Sequence, residues 1–241
     1  MLTPDEIRRR AAAIRWYHTI DLGHGIVTRG VNDTPTCLKR IGLPKDLRGK
    51  SVLDIGAWDG AYSLEAERRG AERVLATDHY CWSGVGWGTK DGFDLACAAL
   101  GSRVESRDID VFDLSPETVG VFDVVLFLGV LYHLQDPLGA LRRVATLTRE
   151  LLILETVVDL NYIRRPAIAL YPGTELNDDP TNWCGPNAAA VVALLECAGF
   201  RRVEVVWPRG LDRVRCAAAM VAKRLFLRQP PAHRMVFHAW R

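Results

Sequence analysis

Short apolar segments alternate with segments of helical periodicity along most of this chain. Residues 51–55 and 121–128 are mostly apolar and include β-branched side chains, which is typical of strands buried on both faces. Five further strands are predicted, at 73–77, 102–106, 151–158, 201–206 and 235–240. Strands that alternate with helices indicate parallel strands covered by helices. The pattern therefore predicts a doubly wound, Rossmann-like α/β fold with a mostly parallel sheet of seven strands.

Helices are predicted from apolar stripes and from the residues that favour helix ends. Four are predicted, at 4–18, 61–69, 136–149 and 187–198. Asp136 and Pro137 suit the start of the third helix, because an aspartate accepts from an unpaired amide and proline lacks one. Gly70 and Gly199 follow the second and fourth helices, where glycine often adopts a left-handed backbone. These helices alternate with the strands, as an α/β fold requires.

Charge and composition narrow the class of protein. The 241 residues carry a formal net charge of +2, which gives no argument for nucleic acid, although residues 201–241 are locally basic. The first residues have no apolar segment behind their charges, and no run approaches the roughly 18 apolar residues of a membrane span. A cytoplasmic protein without membrane contact is therefore expected. The six cysteines include no C-x-x-C pair and the histidines no H-x-x-x-H pair, which predicts free thiols and no metal site.

The segment Val52–Gly60 runs from a buried strand through a turn with two glycines into a helix. Glycine lets a backbone approach a ligand closely, and open α/β sheets bind ligands at the carboxyl ends of their strands. A dinucleotide fold would use G-x-G-x-x-G here, but three other residues separate Gly56 from Gly60. Asp54 and Asp59 would also repel a pyrophosphate. They favour a cationic ligand, such as S-adenosylmethionine (SAM), which has an ammonium and a sulfonium group.

Two acidic residues come at the ends of the next strands. At the position of Asp78 a carboxylate can accept from both ribose hydroxyls, in NAD and SAM sites alike, or it can cap a turn. Asp108 and Ile109 follow the third predicted strand, where the aspartate can accept from an adenine amino group and the isoleucine can pack on the ring. The residues predicted from these patterns to bind the cofactor are Asp54, Gly56, Gly60, Asp78, Asp108 and Ile109.

These motifs, in this order, resemble the class I SAM-dependent methyltransferase superfamily. The segments that carry the resemblance further are Phe122–His133, Gln135–Leu138, Leu152–Thr156, Asn182–Trp183 and Ala198–Phe200. Together they look like the family that modifies wobble uridine 34 of tRNA. That family uses carboxy-SAM to carboxymethylate 5-hydroxyuridine. The likeness runs from about residue 15 to the end of the sequence.

Matched residue by residue, the resemblance implies roles for five positions. Gly56 and Asp78 fall on the cofactor turn and the ribose acid. Leu128 and Tyr132 fall on donor contacts, and Arg234 falls on an arginine that contacts the donor carboxylate. The Arg-Lys-Gly-Pro segment and the Trp/Lys cluster that this family has before its first strand are missing. Because a lysine opposite the carboxylate would give a charge-assisted contact, its loss favours plain SAM and methyl transfer.

Methyl transfer requires a nucleophile held in line with the methyl carbon, about 3 Å away, and a base helps when the acceptor is a hydroxyl of high pKa. His133, beside Tyr132 at the end of the fourth strand, is the first candidate base, although it could instead cap the turn before the next helix. Glu155, which we expect to end the fifth strand, could orient an acceptor or cap a loop. His18 and His24, in the predicted N-terminal lid, are the other candidate bases, although they are expected to be surface or lid residues.

The acceptor site is predicted in two insertions. Residues 1–48 are interpreted as an N-terminal helix and lid, and residues 49–241 as a SAM-binding domain with acceptor-site insertions at 79–90 and 159–186. Aromatic side chains in such segments can line an apolar pocket or stack on a base. The residues predicted to bind substrate are Tyr17, His18, Trp82, Trp183 and Arg234.

The interpretation that fits these patterns best is methyl transfer from SAM to an oxygen or nitrogen of a small molecule. One alternative is a tRNA wobble-uridine enzyme that uses the basic C-terminal stretch. A second is a SAM-consuming lyase or cyclase, in which the donor itself reacts. A third is a non-catalytic partner subunit, although the retained Asp54 and Asp78 argue against it.

Overall fold

A computed structural model describes residues 2–84, 88–222 and 232–241. The helices in these ranges are α1 (Pro4–Ala13), α2 (Thr34–Ile41), α3 (Ala61–Arg68), α4 (Asp91–Leu100), α5 (Pro137–Leu147), α6 (Ala188–Cys197) and α7 (Gly210–Ala222). The strands are β1 (Ser51–Ile55), β2 (Arg73–Asp78), β3 (Glu105–Asp108), β4 (Phe122–Leu128), β5 (Thr148–Val158), β6 (Ile168–Leu170), β7 (Cys184–Pro186), β8 (Arg202–Trp207) and β9 (His233–Trp240). Residues 85–87 of the predicted insertion at 79–90 lie outside the described residues.

The strands form a seven-stranded sheet in the order β3-β2-β1-β4-β5-β9-β8 and a separate two-stranded sheet of β6 and β7. β2 is parallel to both β1 and β3, whereas β9 is antiparallel to both β5 and β8. The strand order reverses at β1 and β4, which is where doubly wound sheets bind ligands. The predicted fold class, a mostly parallel seven-stranded α/β sheet, is confirmed.

The elements with strong local signals form where they were predicted. β4 is buried along nearly its whole length, as its apolar sequence indicates. Asp136 caps α5 by accepting from the Gly139 amide at 2.8 Å, and Asn187 caps α6 by accepting from the Ala190 amide at 2.8 Å. Each cap satisfies an amide that has no partner within its helix.

The predicted helix at 4–18 is wrong beyond Ala13. The backbone becomes extended at Ile14, and the indole of Trp16 donates to the Ala11 carbonyl at 2.9 Å. The Ile14 amide donates to the same carbonyl at 3.4 Å, so two donors satisfy a carbonyl of the last turn where the chain leaves the helix. The segment that follows is extended because its amides bind the glycine turn.

The third strand is shifted from the predicted 102–106 to Glu105–Asp108. All four of its residues are exposed, so no apolar pattern marks it. Its register depends on β2, with Leu75 opposite Glu105 and Asp78 opposite Asp108. The sequence patterns also missed α2, α4, α7 and the small sheet of β6 and β7.

The chain divides into two compact units. The first contains the residues up to Leu114 together with Phe122–Leu126, and the second contains Ser115–Val121 and Phe127–Arg241. In the first unit α1 packs against α4 around a core that includes Ile7, Trp16 and Leu95. In the second unit one apolar cluster consists of Tyr132, Val157, Tyr171, Leu176 and Ala232. The predicted boundary after residue 48 stays a prediction.

Candidate active site

The first unit contains the glycine turn that follows β1. Gly56 and Gly60 have φ angles of 77° and 79°, and a Cβ on Gly60 would lie 2.5 Å from the Phe93 ring. The amides of Gly56 and Ala57 both donate to the Thr77 carbonyl, at 2.8 and 3.1 Å. The left-handed backbone and the close ring therefore require glycine, and the two amide bonds fix the turn to the end of β2.

Asp78 ends β2 and is buried. Its carboxylate oxygens accept from the amides of Trp58 at 3.0 Å and Cys81 at 2.9 Å. Burial raises the pKa of Asp78, and the amide hydrogen bonds oppose that effect. One oxygen thus holds the glycine turn and the other holds the segment after β2. A carboxylate has about four acceptor positions, so ribose hydroxyls can still bind, and that contact stays a prediction.

Asp54 lies in β1 directly before the turn. Its side chain is buried and accepts from the Ser63 hydroxyl at 2.6 Å. Burial raises the pKa of Asp54 to about 6, against the effects of the Ser63 hydrogen bond and of nearby His18. The neighbouring carboxylate of Asp78 also contributes to this raised pKa. A cation at this position would favour the ionised carboxylate.

Asp59, within the turn, binds the N-terminal segment. Its Oδ2 accepts from the amides of Tyr17 and His18 at 2.7 and 2.9 Å, and His18 Nδ1 lies 3.6 Å from the same oxygen. The Tyr17 ring stacks on Trp58, with the ring centroids 4.4 Å apart. His18 is buried with its ring edge-on to Tyr62, so the expected surface position is wrong. The substrate contacts of Tyr17 and His18 stay predictions.

The acidic groups of the turn fit a cationic cofactor. Asp54, Asp59 and Asp78 are each at most 6% exposed. Burying several carboxylates together costs free energy unless cations or hydrogen-bond donors compensate them. An ammonium, a sulfonium and ribose hydroxyls are such groups, whereas a pyrophosphate would add negative charge. The residues of this turn therefore fit SAM.

The segment after β2 and the end of β3 contribute further candidates. Asp108 is the last residue of β3 rather than following it, and its Oδ1 lies 2.8 Å from His79 Nδ1. Hydrogen bonds from Ser83 and His79 lower the pKa of Asp108. Trp82 is buried and its indole donates to the Trp58 carbonyl at 2.8 Å, which ties this segment to the glycine turn. An adenine contact of Asp108 and a substrate contact of Trp82 stay predictions.

Two further candidates from the sequence are Ile109, which follows β3, and His24, which precedes β1. Ile109 is half-buried, and its amide donates to the Asp78 carbonyl at 3.2 Å, next to the predicted ribose acid. His24 is exposed in the turn between Asp21 and Ile26, so the expected surface position is confirmed, and the lid stays a prediction. The adenine contact of Ile109 stays a prediction.

In the second unit an arginine, a glutamate and a tyrosine form one cluster. Arg234 Nη1 donates to both carboxylate oxygens of Glu155, at 3.0 and 2.7 Å, and its Nη2 donates to the Tyr132 hydroxyl at 2.8 Å. A Cβ on Gly129 would lie 3.4 Å from Nη1. Glu155 lies inside β5, which continues to Val158, so the expectation that it ends the strand is wrong. Its carboxylate compensates the charge of Arg234.

His133 belongs to a short 3-10 turn, Leu131–His133, after β4. Its Nδ1 lies 2.9 Å from the Thr181 carbonyl oxygen. Because a carbonyl only accepts, Nδ1 is the protonated nitrogen and Nε2 has the lone pair. Burial lowers the pKa of His133, which favours the neutral ring near neutral pH. Asp136 caps the following helix, and the alternative that His133 caps the turn before Asp136 stays open.

The insertion at 159–186 forms β6 and β7 and reaches back to the residues after β4. The Trp183 amide donates to the Tyr132 carbonyl at 2.8 Å, and the Trp183 side chain is 38% exposed. The buried Tyr171 hydroxyl donates to Asp159 at 2.7 Å. Asn182 is buried, and its Oδ1 has no hydrogen-bond partner among the described residues. Acceptor binding by this insertion stays a prediction, as do the donor contacts of Leu128, which ends β4.

Other site types find no support in the described ranges. Within them no three His, Cys, Asp or Glu side chains are grouped to hold a metal ion. All six cysteines are free. No helix in the part of the chain that the structure describes is long and apolar enough to cross a membrane.

The fold and the acidic glycine turn define a class, and comparison with known proteins agrees with it. The chain belongs to a methyltransferase family, since a family model described as a methyltransferase domain matches residues 36–205. The chain therefore has a methyltransferase domain, and a solved structure of similar fold has SAH bound.

The individual proteins that this chain resembles share only low sequence identity with it. A tRNA U34 carboxymethyltransferase of Alteromonas mediterranea is 28% identical over 163 residues, which cover 66% of this chain and 47% of that protein. The chain thus spans about half the length of the curated relatives it matches. The crystal structure of the N-terminal domain of EvdMO1 in the presence of SAH and D-fucose has a similar fold, with a TM-score of 0.71 over 100% of this chain and 97% of that chain at 20% identity. The cyclase SpnF is similar as well, with a TM-score of 0.57 over 98% of this chain and 91% of that chain at 18% identity. Both likenesses concern the fold.

Proposed function

We propose that this protein transfers the methyl group of SAM to an oxygen or nitrogen of a small-molecule acceptor, with His133 as the general base. SAM supplies a methyl group that the adjoining sulfonium already activates. The chain's own residues bind the acceptor, exclude water and accept the acceptor's proton. The observation that carries the proposal is the half-buried His133 ring, whose Nδ1 is fixed by the carbonyl and the hydroxyl of Thr181, so that the neutral ring has its lone pair on Nε2.

The proton moves from the acceptor to Nε2 of His133. Bound SAM would supply the methyl group and its sulfur would be the leaving group, while Nε2 would take the proton that the acceptor's oxygen or nitrogen loses. The Nδ1–H stays bonded to the Thr181 carbonyl, so the ring does not rotate during the transfer. A base positioned in this way typically contributes about 10²–10⁴-fold to the rate.

The arginine cluster supports plain SAM as the donor. Arg234 would be available to a donor carboxylate only if its charge were uncompensated, but Glu155 already accepts two hydrogen bonds from it. A carboxylate added beside Glu155 would meet like charge. The cluster therefore favours a donor without a carboxylate on its methyl group, and we assign Tyr132 and Glu155 to positioning in the second unit.

The curated relatives favour a second candidate, the modification of tRNA. They are tRNA U34 carboxymethyltransferases, and this chain matches them over about two thirds of its length. The chain covers only about half of each, and its net charge of +2 provides little attraction for a polyanion. We therefore place a small acceptor first.

The acceptor class can be tested by isotope transfer. SAM with a labelled methyl group is incubated with the protein and either a small-molecule metabolite extract or bulk tRNA, and both pools are analysed by mass spectrometry. We expect one or a few small molecules to gain about 14 Da plus the extra mass of the isotope, with no gain in tRNA. His133→Gln should lower this transfer by about 10²–10⁴-fold, as expected for loss of a general base.

Two outcomes would reverse the proposal. Label found only in tRNA would establish the second candidate. Consumption of SAM with no labelled acceptor in either pool would favour a lyase or cyclase on the same fold. His24→Gln, at an exposed histidine, is the matched control and should transfer the label at the unmodified rate.

A further inference from the structure

The segment Asp179–Trp183 lies along the 3-10 turn that contains His133. Two bonds join them: the Trp183 amide donates to the Tyr132 carbonyl at 2.8 Å, and His133 Nδ1 donates to the Thr181 carbonyl at 2.9 Å. Backbone atoms of the segment therefore fix both the turn and the ring. The position of the ring depends on residues that are 48 positions away in sequence.

The Thr181 hydroxyl specifies the same position of the ring proton. Its oxygen lies 3.0 Å from His133 Nδ1 and 2.6 Å from Asp179 Oδ1. A carboxylate oxygen only accepts, so the hydroxyl donates its one hydrogen to Asp179. Toward His133 the hydroxyl oxygen can then only accept. The carbonyl and the hydroxyl of Thr181 thus each require a proton on Nδ1, and the lone pair is left on Nε2.

Asp179 adds a negative charge one hydroxyl away from the ring. Its Oδ1 also accepts from the Thr181 amide at 2.9 Å, which fixes the carboxylate against the hydroxyl. When His133 takes a proton it becomes a cation, and a carboxylate at this distance stabilises that form. The charged group that opposes this effect is Arg234, while burial of the ring is the main cause that lowers the pKa of His133.

We propose that Asp179 and Thr181 are positioning residues that hold His133 with its Nε2 ready to accept the acceptor's proton. This inference rests on the proposed function, because it gives a catalytic meaning to the ring's orientation. A turn that merely closes the loop needs only the bond from the Thr181 amide to Asp179. The hydroxyl bond and the contact with the ring go beyond that requirement.

The test separates the effect of the Thr181 hydroxyl on His133 from the effect of the Asp179 charge. Thr181→Val removes the hydroxyl and keeps the carbonyl, and Asp179→Asn keeps an acceptor and removes the charge. Thr181→Ser keeps both the hydroxyl and the carbonyl at this position and is the matched control. Nitrogen-15 NMR of the histidine ring in the full chain with SAH reports which nitrogen is protonated and how the ring titrates, and His133→Gln identifies the signals. SAH binding also shows that each variant is folded.

We expect the neutral ring of the unmodified protein to be protonated at Nδ1. Asp179→Asn and Thr181→Val should each lower the pKa of His133 by about 0.5 unit, because a charge or a hydrogen bond to the cation is lost. With the acceptor found by the isotope assay, both variants should lower kcat by about tenfold and leave KM unchanged within about twofold. Thr181→Ser should match the unmodified protein in every measurement.

Two results would overturn parts of this inference separately. A neutral ring protonated at Nε2, or an unchanged titration in both variants while His133→Gln is inactive, would refute the roles of Asp179 and Thr181 alone. His133→Gln with undiminished methyl transfer would refute the proposed base, and with it the catalytic meaning of the arrangement. The NMR result does not depend on the acceptor, so the two failures are distinguishable.

Discussion

Asp78 uses both carboxylate oxygens on backbone amides, and this determines what can replace it. One oxygen accepts from Trp58 and the other from Cys81, so both sides of the side chain must be acceptors. An asparagine would turn its NH₂ group toward one of these amides in either orientation. The residue that the sequence indicates as a cofactor ligand is therefore also the residue that joins the glycine turn to the segment after β2.

We predict that Asp78→Ala weakens the binding of SAH by about tenfold to a hundredfold, since a buried acceptor for ribose is worth about 1.5–3 kcal/mol. Asp78→Asn should also lower the free energy of unfolding by about 1–3 kcal/mol, because it sets two donors against each other. Calorimetry and urea denaturation measure the two effects. Asp21→Asn, at an exposed turn aspartate that accepts from the Gly23 amide, is the control. Unchanged affinity in Asp78→Ala would refute the ribose assignment.

From the raised pKa of Asp54 we predict that the stability of the protein depends on pH. Its pKa in the folded protein is about 6, above the ordinary 3.8, so the folded state binds the proton more tightly than the unfolded state. Between about pH 4 and pH 6 the contribution of this group to stability therefore decreases as the pH rises. A shift of about two units corresponds to roughly 3 kcal/mol at pH 8.

Asp54→Asn should accordingly raise the free energy of unfolding of the ligand-free protein at pH 8, by up to about 3 kcal/mol, and have little effect near pH 4. It should also weaken the binding of cationic SAM more than that of SAH, which lacks the sulfonium. Urea denaturation at both pH values and calorimetry with both ligands measure this. A stability difference that is the same at pH 4 and pH 8 would contradict the raised pKa.

From the hydrogen bonds between Arg234 and Glu155 we predict that Glu155 influences the choice between SAM and carboxy-SAM. If it compensates the charge of Arg234, then Glu155→Gln leaves a guanidinium that can bind a carboxylate. We expect competition between SAM and carboxy-SAM to shift toward carboxy-SAM by about tenfold, equivalent to roughly 1.4 kcal/mol. Glu204→Gln, at an exposed glutamate paired with Arg202, is the control and should not change the ratio. A ratio unchanged by Glu155→Gln would show that Arg234 does not take part in donor choice.

At the scale of the elements, the start of α4 packs closely against the glycine turn. Gly92, at its second position, faces Asp59: a Cβ there would lie 2.5 Å from Asp59 Oδ1 and 3.4 Å from the Trp16 ring. Asp59 cannot move easily, because two amides of the N-terminal segment bind it. The start of α4, the glycine turn and that segment therefore meet around one small residue.

Gly92→Ala should destabilise the protein, although alanine is the better helix former by about 1 kcal/mol. The added methyl group would displace a buried carboxylate, and such overpacking costs about 1–3 kcal/mol. Urea denaturation measures the change. The control is Gly173→Ala, where the nearest atom is the carboxylate of the exposed Glu175, 3.4 Å from the new Cβ. Equal or greater stability of Gly92→Ala would mean that Asp59 can be displaced at little cost.

The elements that could be predicted are those whose signals are local. The apolar run of β4, the Asp136-Pro137 start of α5 and the Gly199 end of α6 each fix a boundary within a few residues. α2 could have been found in the same way, because Asp33 caps it and Gly42 ends it with a left-handed backbone. The bounds of β3 could not be predicted, since they come from its pairing with β2.

Within the candidate site, too, the residues that could be predicted are those with a local sequence signal. The acids of the glycine turn follow from their place after a buried strand, so the sequence identifies them. The bonds from Tyr17 to Asp59 and from His133 to Thr181 join residues 42 and 48 positions apart. No periodicity encodes such a pair, because each depends on how an irregular segment returns to the sheet. The role of Thr181 was therefore out of reach of the sequence.

For the whole molecule, the distribution of charge bears on the class of acceptor. The basic residues that α7 carries, Arg213 and Arg215, are exposed, and Arg215 lies 3.6 Å from Asp212. Arg224, Lys223 and Arg228 of the same basic stretch lie outside the described residues. Exposed charges of this kind are ordinarily solvated, and the net charge is only +2.

We therefore expect no measurable binding of tRNA at physiological ionic strength, and little loss of activity when Arg213, Arg215 and Arg224 are changed together to alanine. A tRNA substrate would release counterions on binding, so its affinity would fall steeply with salt. Filter binding over a range of salt concentrations measures this. Micromolar affinity with a log–log slope of several units, lost in the triple variant, would instead identify tRNA as the acceptor.

The bond between Asp59 and the N-terminal segment bears on how this chain can be shortened. The methyltransferase-domain match begins at residue 36, yet Asp59 inside it accepts from the amides of Tyr17 and His18 outside it. A recombinant fragment cut at the start of the match would retain the buried carboxylate and lose both donors, along with the ring that covers Trp58. Trimming for crystallisation, or grafting this domain onto another protein, should therefore stop before Trp16.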